Sequence, residues 1–214
     1  MIDHIIWDWN GTLLADTAAC VQSLNVILRR GRMPPITLRA YRDVFCFPVR
    51  DYYHRIGLAL DDEGWDGLTR EYHASYRHLS RQSPLRRGAM RALRGLRDIR
   101  MTMSVLSASE LSLLEAMIRE RDIREFFTRV CGLPDLYAHS KVDLGRRLLH
   151  DSASHPKHAL IVGDSIHDHE VAVELGCQCV LLSGGHQSVR RLRQCGCPVV
   201  PDLRSLVAFI QDRR

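Results

Sequence analysis

Lysine is nearly missing from this sequence. Of its 30 lysines and arginines, only Lys141 and Lys157 are lysines, so each one carries information. Long apolar runs are missing as well. Runs such as Ala159-Leu160-Ile161-Val162 are strand-sized, and none comes near the roughly 20 residues a helix needs to cross a bilayer. That excludes a membrane-spanning helix. A secretory leader is not evident, because Asp3 and His4 interrupt the N-terminus and Asp8 follows, so a cytoplasmic protein is expected. Paired C-x-x-C spacing is absent: seven cysteines lie scattered, and neither a zinc site nor a disulfide framework suits them. Cys177 and Cys179 share one face of a strand, and Cys195-Gly196-Cys197 follows; buried free thiols, packing as small hydrophobes, are expected.

What is present is ordinary for a globular chain. The 214 residues suffice for a large core with a smaller insert, and 45% are hydrophobic and 26% charged. The net charge of +5 comes from arginines in short clusters such as Arg86-Arg87 and Arg190-Arg191. Carboxylates are interspersed and no nucleic-acid-binding motif accompanies them. The clusters read as solvated faces whose field favours small anions, not as a nucleic-acid surface.

The chain divides by pattern. Residues 16–85 carry no strand signal. Asp16 is placed to cap a helix over 16–30 that Gly31 ends, and Pro34-Pro35 separates it from a helix that Thr37 caps. Two further helices are expected over 48–54 and from about 62 to 79. The eight aromatic residues of this segment, from Tyr41 to Tyr76, have helical spacing and read as core. From residue 86 onward strands alternate with helices. Strands are expected over 101–106, 126–131, 157–162, 177–182 and 199–200, and Asp202 is expected to cap a final helix over 203–211. Together with the strand over 5–7, this implies an α/β fold with a mostly parallel sheet covered on both faces. Residues 1–15 and 86–214 would form that core, with 16–85 an all-helical insert.

Polar residues collect at the expected strand ends. Asp8 ends the first strand, Ser107 the second, and Asp164 and Asp168 follow the fourth; Lys141 opens a helix. In a parallel sheet these carboxyl ends share one edge, so the groups converge there. Carboxylates meeting at one place repel unless a cation joins them, and hard oxygen ligands suit Mg²⁺. Ser107 would offer a hydroxyl backed by free N–H groups of the next helix. Lys141 would neutralise phosphate and keep Asp8 ionised. So surrounded, Asp8 is set for nucleophilic attack on phosphorus. The bland alternatives are that Ser107, Asp164 and Asp168 cap helices and Lys141 lies on the surface.

The order D-x-N-G-T-L-L (Asp8 to Leu14), Ser107, Lys141 and G-D-x-x-x-D (Gly163 to Asp168) resembles the haloacid dehalogenase-like hydrolases, and most of all the branch that includes phosphoglycolate phosphatases. The resemblance implies a Rossmann-like three-layer core with a helical cap over it. It also implies a Mg²⁺-dependent phosphatase acting on a small phosphorylated metabolite. The metal ligands would be Asp8, the backbone carbonyl of Asn10, Asp164 and, directly or through water, Asp168. Trp9, Ser107, Ala108, Lys141 and, from the insert, Arg50 are the candidate substrate-binding residues, and a monomer or homodimer is expected.

Asn10 departs from the family's pattern, which usually has an aspartate there to protonate the leaving oxygen and activate water. An amide cannot do that work, typically worth about 10²–10⁴ in rate. Three readings stay open: a monoester phosphatase, a phosphotransferase or hydrolase of activated phosphates, and a non-catalytic phosphometabolite-binding protein. His167, inside the metal loop, is the first candidate substitute for the acid–base group; His186, after Gly184-Gly185, is a second residue that could face the cleft.

Overall fold

The run His4–Trp7 shows no apolar–polar alternation, and all four side chains are buried. That is the pattern of a strand covered on both faces. In the computed structural model, which describes residues 2–58, 61–134 and 141–213, this strand (β1) lies at the centre of a parallel sheet. Its other strands are β2 (Thr102–Glu110), β3 (Arg129–Leu133), β4 (Ala159–Gly163), β5 (Gln178–Leu182) and β6 (Val199–Val200). The order is β3-β2-β1-β4-β5-β6. Trp7 pairs with Val105 on one side and Val162 on the other. The strand order reverses between β1 and β4, from which the sheet grows outward in both directions, and a crevice opens at such a switch point, beyond the strands' carboxyl ends.

Successive side chains of β1 enter different layers. Ile5 and Trp7 pack with α5 (Ala89–Asp98), α6 (Leu111–Arg119) and α10 (Leu203–Gln211) through Leu93, Leu96, Leu114 and Leu206. Ile6 packs with α7 (Lys141–Asp151) and α8 (Ile166–Leu175) through Leu148, Leu149 and Val171. Helix α8 is bounded by a Ser165/Asp168 capping box and by Gly176 at φ 70°. A short α9 (Val189–Leu192) follows β5, and Asp202 caps α10 by accepting from the Ser205 N–H at 2.8 Å. Among the described residues no helix is long and apolar enough to cross a membrane.

Between β1 and α5 lie α1 (Thr17–Arg30), α2 (Leu38–Val44), α3 (Val49–Arg55) and α4 (Asp62–Ser80). They share an apolar cluster of their own, built on Leu24, Leu28, Tyr41, Tyr52 and Leu68. The chain enters and leaves this helical group side by side: Ala15 N–H donates to Pro84 O (2.9 Å) and Arg86 N–H to Leu13 O (2.8 Å). Helix α2 is also fastened to the loop after β5, where the Arg42 guanidinium donates to the carbonyls of Gly184 (2.6 Å) and Gly185 (2.8 Å).

Two expectations need correction. Strand β2 runs through Ser107 to Glu110, with a register shift against β3 beyond Leu106. The strand expected over 126–131 begins at Arg129 instead, because Phe126 and Phe127 turn into the core from a 3₁₀ turn. All seven cysteines are free thiols, though only Cys20 and Cys46 are fully buried.

His4 gives β1 a pH-sensitive element. Its Nε2 shares a hydrogen bond with Ser104 Oγ (3.0 Å) on β2, and burial pushes the imidazole down to about 4, against a weaker upward pull from Asp3. The unfolded chain takes up this proton near pH 6.5 and the folded chain only near 4. Stability is therefore full above pH 6.5 and falls on acidification toward pH 4, by about 3 kcal/mol from this residue. Denaturant midpoints between pH 7 and 4 should fall less steeply in His4→Gln than in the unsubstituted protein.

Candidate active site

Asp8 stands one residue past β1, where its N–H still donates to Val162 O (2.8 Å) on β4, so the carboxylate projects at the switch point. Lys141 Nζ donates to Asp8 Oδ1 and, at 2.8 Å, to Asp168 Oδ1. The remaining oxygen of Asp168 accepts from the Asp164 N–H (3.2 Å), the Ser165 N–H (3.1 Å) and Ser165 Oγ (2.6 Å). Asp168 thus accepts four hydrogen bonds, one on Oδ1 and three on the other oxygen. It anchors the lysine and the turn that carries Asp164. Asp164 accepts from Thr12 Oγ1 (3.2 Å) and from the His186 N–H. Gly11, at φ +72°, and Gly185 lie so close to the Asp164 carboxyl that a Cβ at either position would collide with it.

Electrostatics set this cluster apart. Burial pushes Asp8 up to about 7, although Lys141 opposes it, and pushes Asp164 up to about 6. Asp168 is held below the ordinary carboxylate range: burial works against it, but Lys141 and Ser165 prevail. Lys141 itself is raised by its two carboxylate partners, despite burial. Oxygens of Asp8, Asp164 and Asp168 lie within 4.8 Å of one another. Three buried carboxylates against one ammonium leave negative charge in excess. Hard oxygen donors so gathered fit Mg²⁺.

Asn10 is tied on every side. Its Nδ2 donates to Asp16 Oδ2 (2.7 Å) and to the Tyr76 hydroxyl (2.6 Å) of α4. Its Oδ1 accepts from Ser109 Oγ (2.7 Å), with Ser107 Oγ at 3.4 Å. Asp16, expected to cap α1, makes no cap hydrogen bond. It turns back instead to accept from the Gly11 N–H (2.8 Å) and the Tyr76 hydroxyl (2.7 Å), and His186 Nε2 faces it at 3.5 Å. Burial alone would raise Asp16, yet His186, Tyr76 and Asn10 hold it down, while Asp16 lifts His186 to about 9 against its own burial. A hydrogen bond of 2.9 Å links His186 Nδ1 with the Tyr41 hydroxyl of α2.

A cavity of about 380 Å³ opens from Asp8, Lys141 and Asp164 into the helical group. It is lined by Ala108 and Ser109 but not by Ser107, which is fully buried and accepts from the Ser109 N–H (3.1 Å). The hydroxyl facing the cavity thus belongs to Ser109, two residues beyond the expected one. Trp9 packs its ring in the core, and its carbonyl accepts from the N–H groups of Leu13 and Leu14. Arg50 lines the cavity but pairs with Asp62 (2.7 Å) and sits over the Trp65 ring (5.7 Å). His167 does not line it; its ring lies against Phe47 (4.7 Å) and its Nδ1 is 3.5 Å from Glu170. His186 does line it. So does every Phe, Tyr and Trp between residues 16 and 85, so these rings are cavity wall as well as core.

Residues 5–182 match the family model described as haloacid dehalogenase-like hydrolase. No curated protein matches the sequence. Similar solved structures include a haloacid dehalogenase-like family hydrolase from Streptococcus pneumoniae (18% identity, 98% of each chain, TM-score 0.83). Another is a predicted phosphoglycolate phosphatase from Haemophilus somnus (18% identity, 98% of each chain, TM-score 0.77). A variant of CbbY from Rhodobacter sphaeroides, in complex with xylulose-(1,5)-bisphosphate, is 17% identical over 95% of each chain, with TM-score 0.71. At these identities the likeness speaks for the fold.

The partners of Asp16 generate a test. A lost helix cap costs about 1 kcal/mol, whereas breaking a buried charge pair costs about 3–5 kcal/mol. Asp16→Asn should fall in the higher range in urea denaturation, because His186 loses the counter-ion that keeps it protonated and must either give up its proton or stay buried unpaired.

Proposed function

Because the chain belongs to the haloacid dehalogenase-like hydrolase family, we propose that it is a Mg²⁺-dependent phosphatase of small phosphate monoesters that works through a phospho-Asp8 intermediate. The observation that carries the reading is the Asp8 carboxylate bonded to Lys141 at the end of the cavity. In the first step an Asp8 oxygen attacks phosphorus and the bond to the leaving oxygen breaks, that oxygen departing with the electron pair. Water then attacks the phosphorus of the acyl phosphate, the P–O bond to Asp8 breaks, and phosphate leaves. Lys141 and Ser109 face the phosphoryl oxygens, and the compact ammonium offsets the charge that develops on them.

Asp8, Asp164 and the backbone carbonyl of Asn10 would hold the Mg²⁺, with Asp168 assisting directly or through water while it steadies Lys141 and the Asp164 turn. Bound there, the ion supplies charge neutralisation at the phosphoryl group. Residues 16–85 act as a cap that shuts the cavity from water and selects the leaving group. The sugar bisphosphate held by the CbbY structure is consistent with a small phosphorylated substrate here.

The fixed amide of Asn10 favours a narrower second reading: the enzyme acts on activated phosphates, or transfers the phosphoryl group, where the leaving oxygen needs no proton. Both readings require Asp8. Asp8→Asn should lower turnover by about 10⁴-fold or more and abolish the hydroxylamine-sensitive phosphoenzyme; a phosphoenzyme surviving in the variant would defeat both. Mg²⁺ should raise the melting temperature of the unsubstituted protein but not of Asp164→Asn, as followed by calorimetry.

Asn10→Asp by itself would set a carboxylate against Asp16 across the 2.7 Å now spanned by an N–H bond. It should therefore reduce both stability and alkyl-ester turnover. The double exchange Asn10→Asp/Asp16→Asn keeps the charge count and should raise alkyl-ester turnover by roughly 10²-fold. Steady-state kinetics on one alkyl phosphate decides, and no rise in the double variant would show that the amide is not the limit.

A further inference from the structure

The same cavity restricts the substrate's leaving group. Its volume of about 380 Å³ lies within the ~300–1,000 Å³ of sites that enclose molecules well beyond two or three carbons. Away from Asp8 its wall is aromatic. Phe45 stacks with Tyr41 (5.0 Å) and meets Tyr52 edge-on (5.2 Å), Tyr53 meets Trp65 (5.6 Å), and Tyr72 stacks with Tyr76 (6.0 Å). Leu24 and Leu68 fill in between. Rings arranged this way receive another ring by offset or edge-to-face contact. Charge on the leaving group is poorly served. Among the described residues the lysine and the arginine of the lining already have carboxylate partners, Lys141 in the buried Asp8 and Asp168 and Arg50 in the solvent-exposed Asp62. A carboxylate or a second phosphate placed among the rings would have to displace Asp62 from Arg50 or be desolvated unpaired.

An independent observation concerns the leaving oxygen. Asn10 holds no titratable proton, and its amide is consumed by Asp16, Tyr76 and Ser109. Without a proton donor at that position, the site suits an oxygen that departs readily as an anion. A phenol, with a pKa of about 10, does so far better than an alkyl alcohol, nearer the ~15.7 of water.

We propose that the substrate is an aryl phosphate monoester whose leaving group is an uncharged phenol seated among the rings of the cap. The inference rests on phosphoryl transfer to Asp8. In each turnover the P–O(aryl) bond breaks, the phenolate departs and later takes a proton from solvent, and water completes release of phosphate.

The test uses the whole protein with Mg²⁺ and compares kcat/KM for phenyl phosphate, benzyl phosphate, phosphoglycolate, glucose 6-phosphate and acetyl phosphate. Phenyl phosphate should exceed phosphoglycolate and glucose 6-phosphate by about 100-fold or more, and benzyl phosphate by about 10²-fold or more. Trp65→Ala should raise KM for phenyl phosphate about tenfold and narrow its advantage over acetyl phosphate, which has no ring. Equal or better turnover of phosphoglycolate or glucose 6-phosphate overturns the proposal, and so does benzyl phosphate matching phenyl phosphate. If acetyl phosphate labels Asp8 and is hydrolysed while phenyl phosphate is not, the aryl assignment fails and the phosphatase reading stands. If neither is turned over, both fail.

Discussion

A buried ammonium group shared between two carboxylates holds the switch point together. Lys141 bridges the end of β1, at Asp8, to the first turn of α8, at Asp168. Four aspartates are buried around it, Asp8, Asp16, Asp164 and Asp168, and the buried cations facing them are Lys141 and His186. Removing such groups from water is costly unless each is paired and hydrogen-bonded. Around this one they are: Asp168 accepts four hydrogen bonds, Asp164 takes a hydroxyl and a backbone N–H, and Asp16 collects donors from three elements. A lysine does here what arginine could not easily do, since its compact charge fits between two carboxylates at once. In a chain otherwise built with arginine, that accounts for a lysine at position 141.

The second polar group, centred on Asn10 and Asp16, joins the two halves of the molecule. The amide of Asn10 donates to Tyr76 on α4 and accepts from Ser109 on β2, while His186, from the loop after β5, reaches Asp16 and Tyr41. The loop that follows Asp8 is therefore in hydrogen-bond contact with both the helical group and the sheet. Leaving any of these buried groups unpaired costs about 1–3 kcal/mol, which favours the closed arrangement over one in which the helices stand away from the sheet.

Much of the fold was legible in the sequence because it follows from local rules. Apolar runs without alternation gave buried parallel strands, and Thr37, Gly176 and Asp202 marked helix ends as capping chemistry requires. Asp8, Lys141, Asp164 and Asp168 were legible because a parallel sheet sends its carboxyl ends to one edge whatever their separation in sequence. The misses at the site concern side-chain direction, and those in the sheet concern strand bounds. Asp16 has the position of a cap, but the Gly11 N–H and His186 offer it stronger partners. His167 sits in the first turn of α8 yet packs on Phe47 without lining the cavity, while His186, 22 residues beyond Asp164, does line it. Ser107 reads from the sequence as the strand-end hydroxyl because β2 is expected to stop sooner than it does. The aromatic residues were taken as core from their spacing alone, and spacing does not say whether a ring's far side meets another helix or a cavity.

Asp164 has a further consequence. Bare backbone stands on two sides of its carboxyl, at Gly11 and Gly185, with no side chain that could yield. A carboxylate walled in this way cannot swing aside when the charge around it changes. Its orientation is fixed when the chain folds, so little reorganisation remains for the reacting state, and the two glycines become as restrictive as the aspartate they enclose.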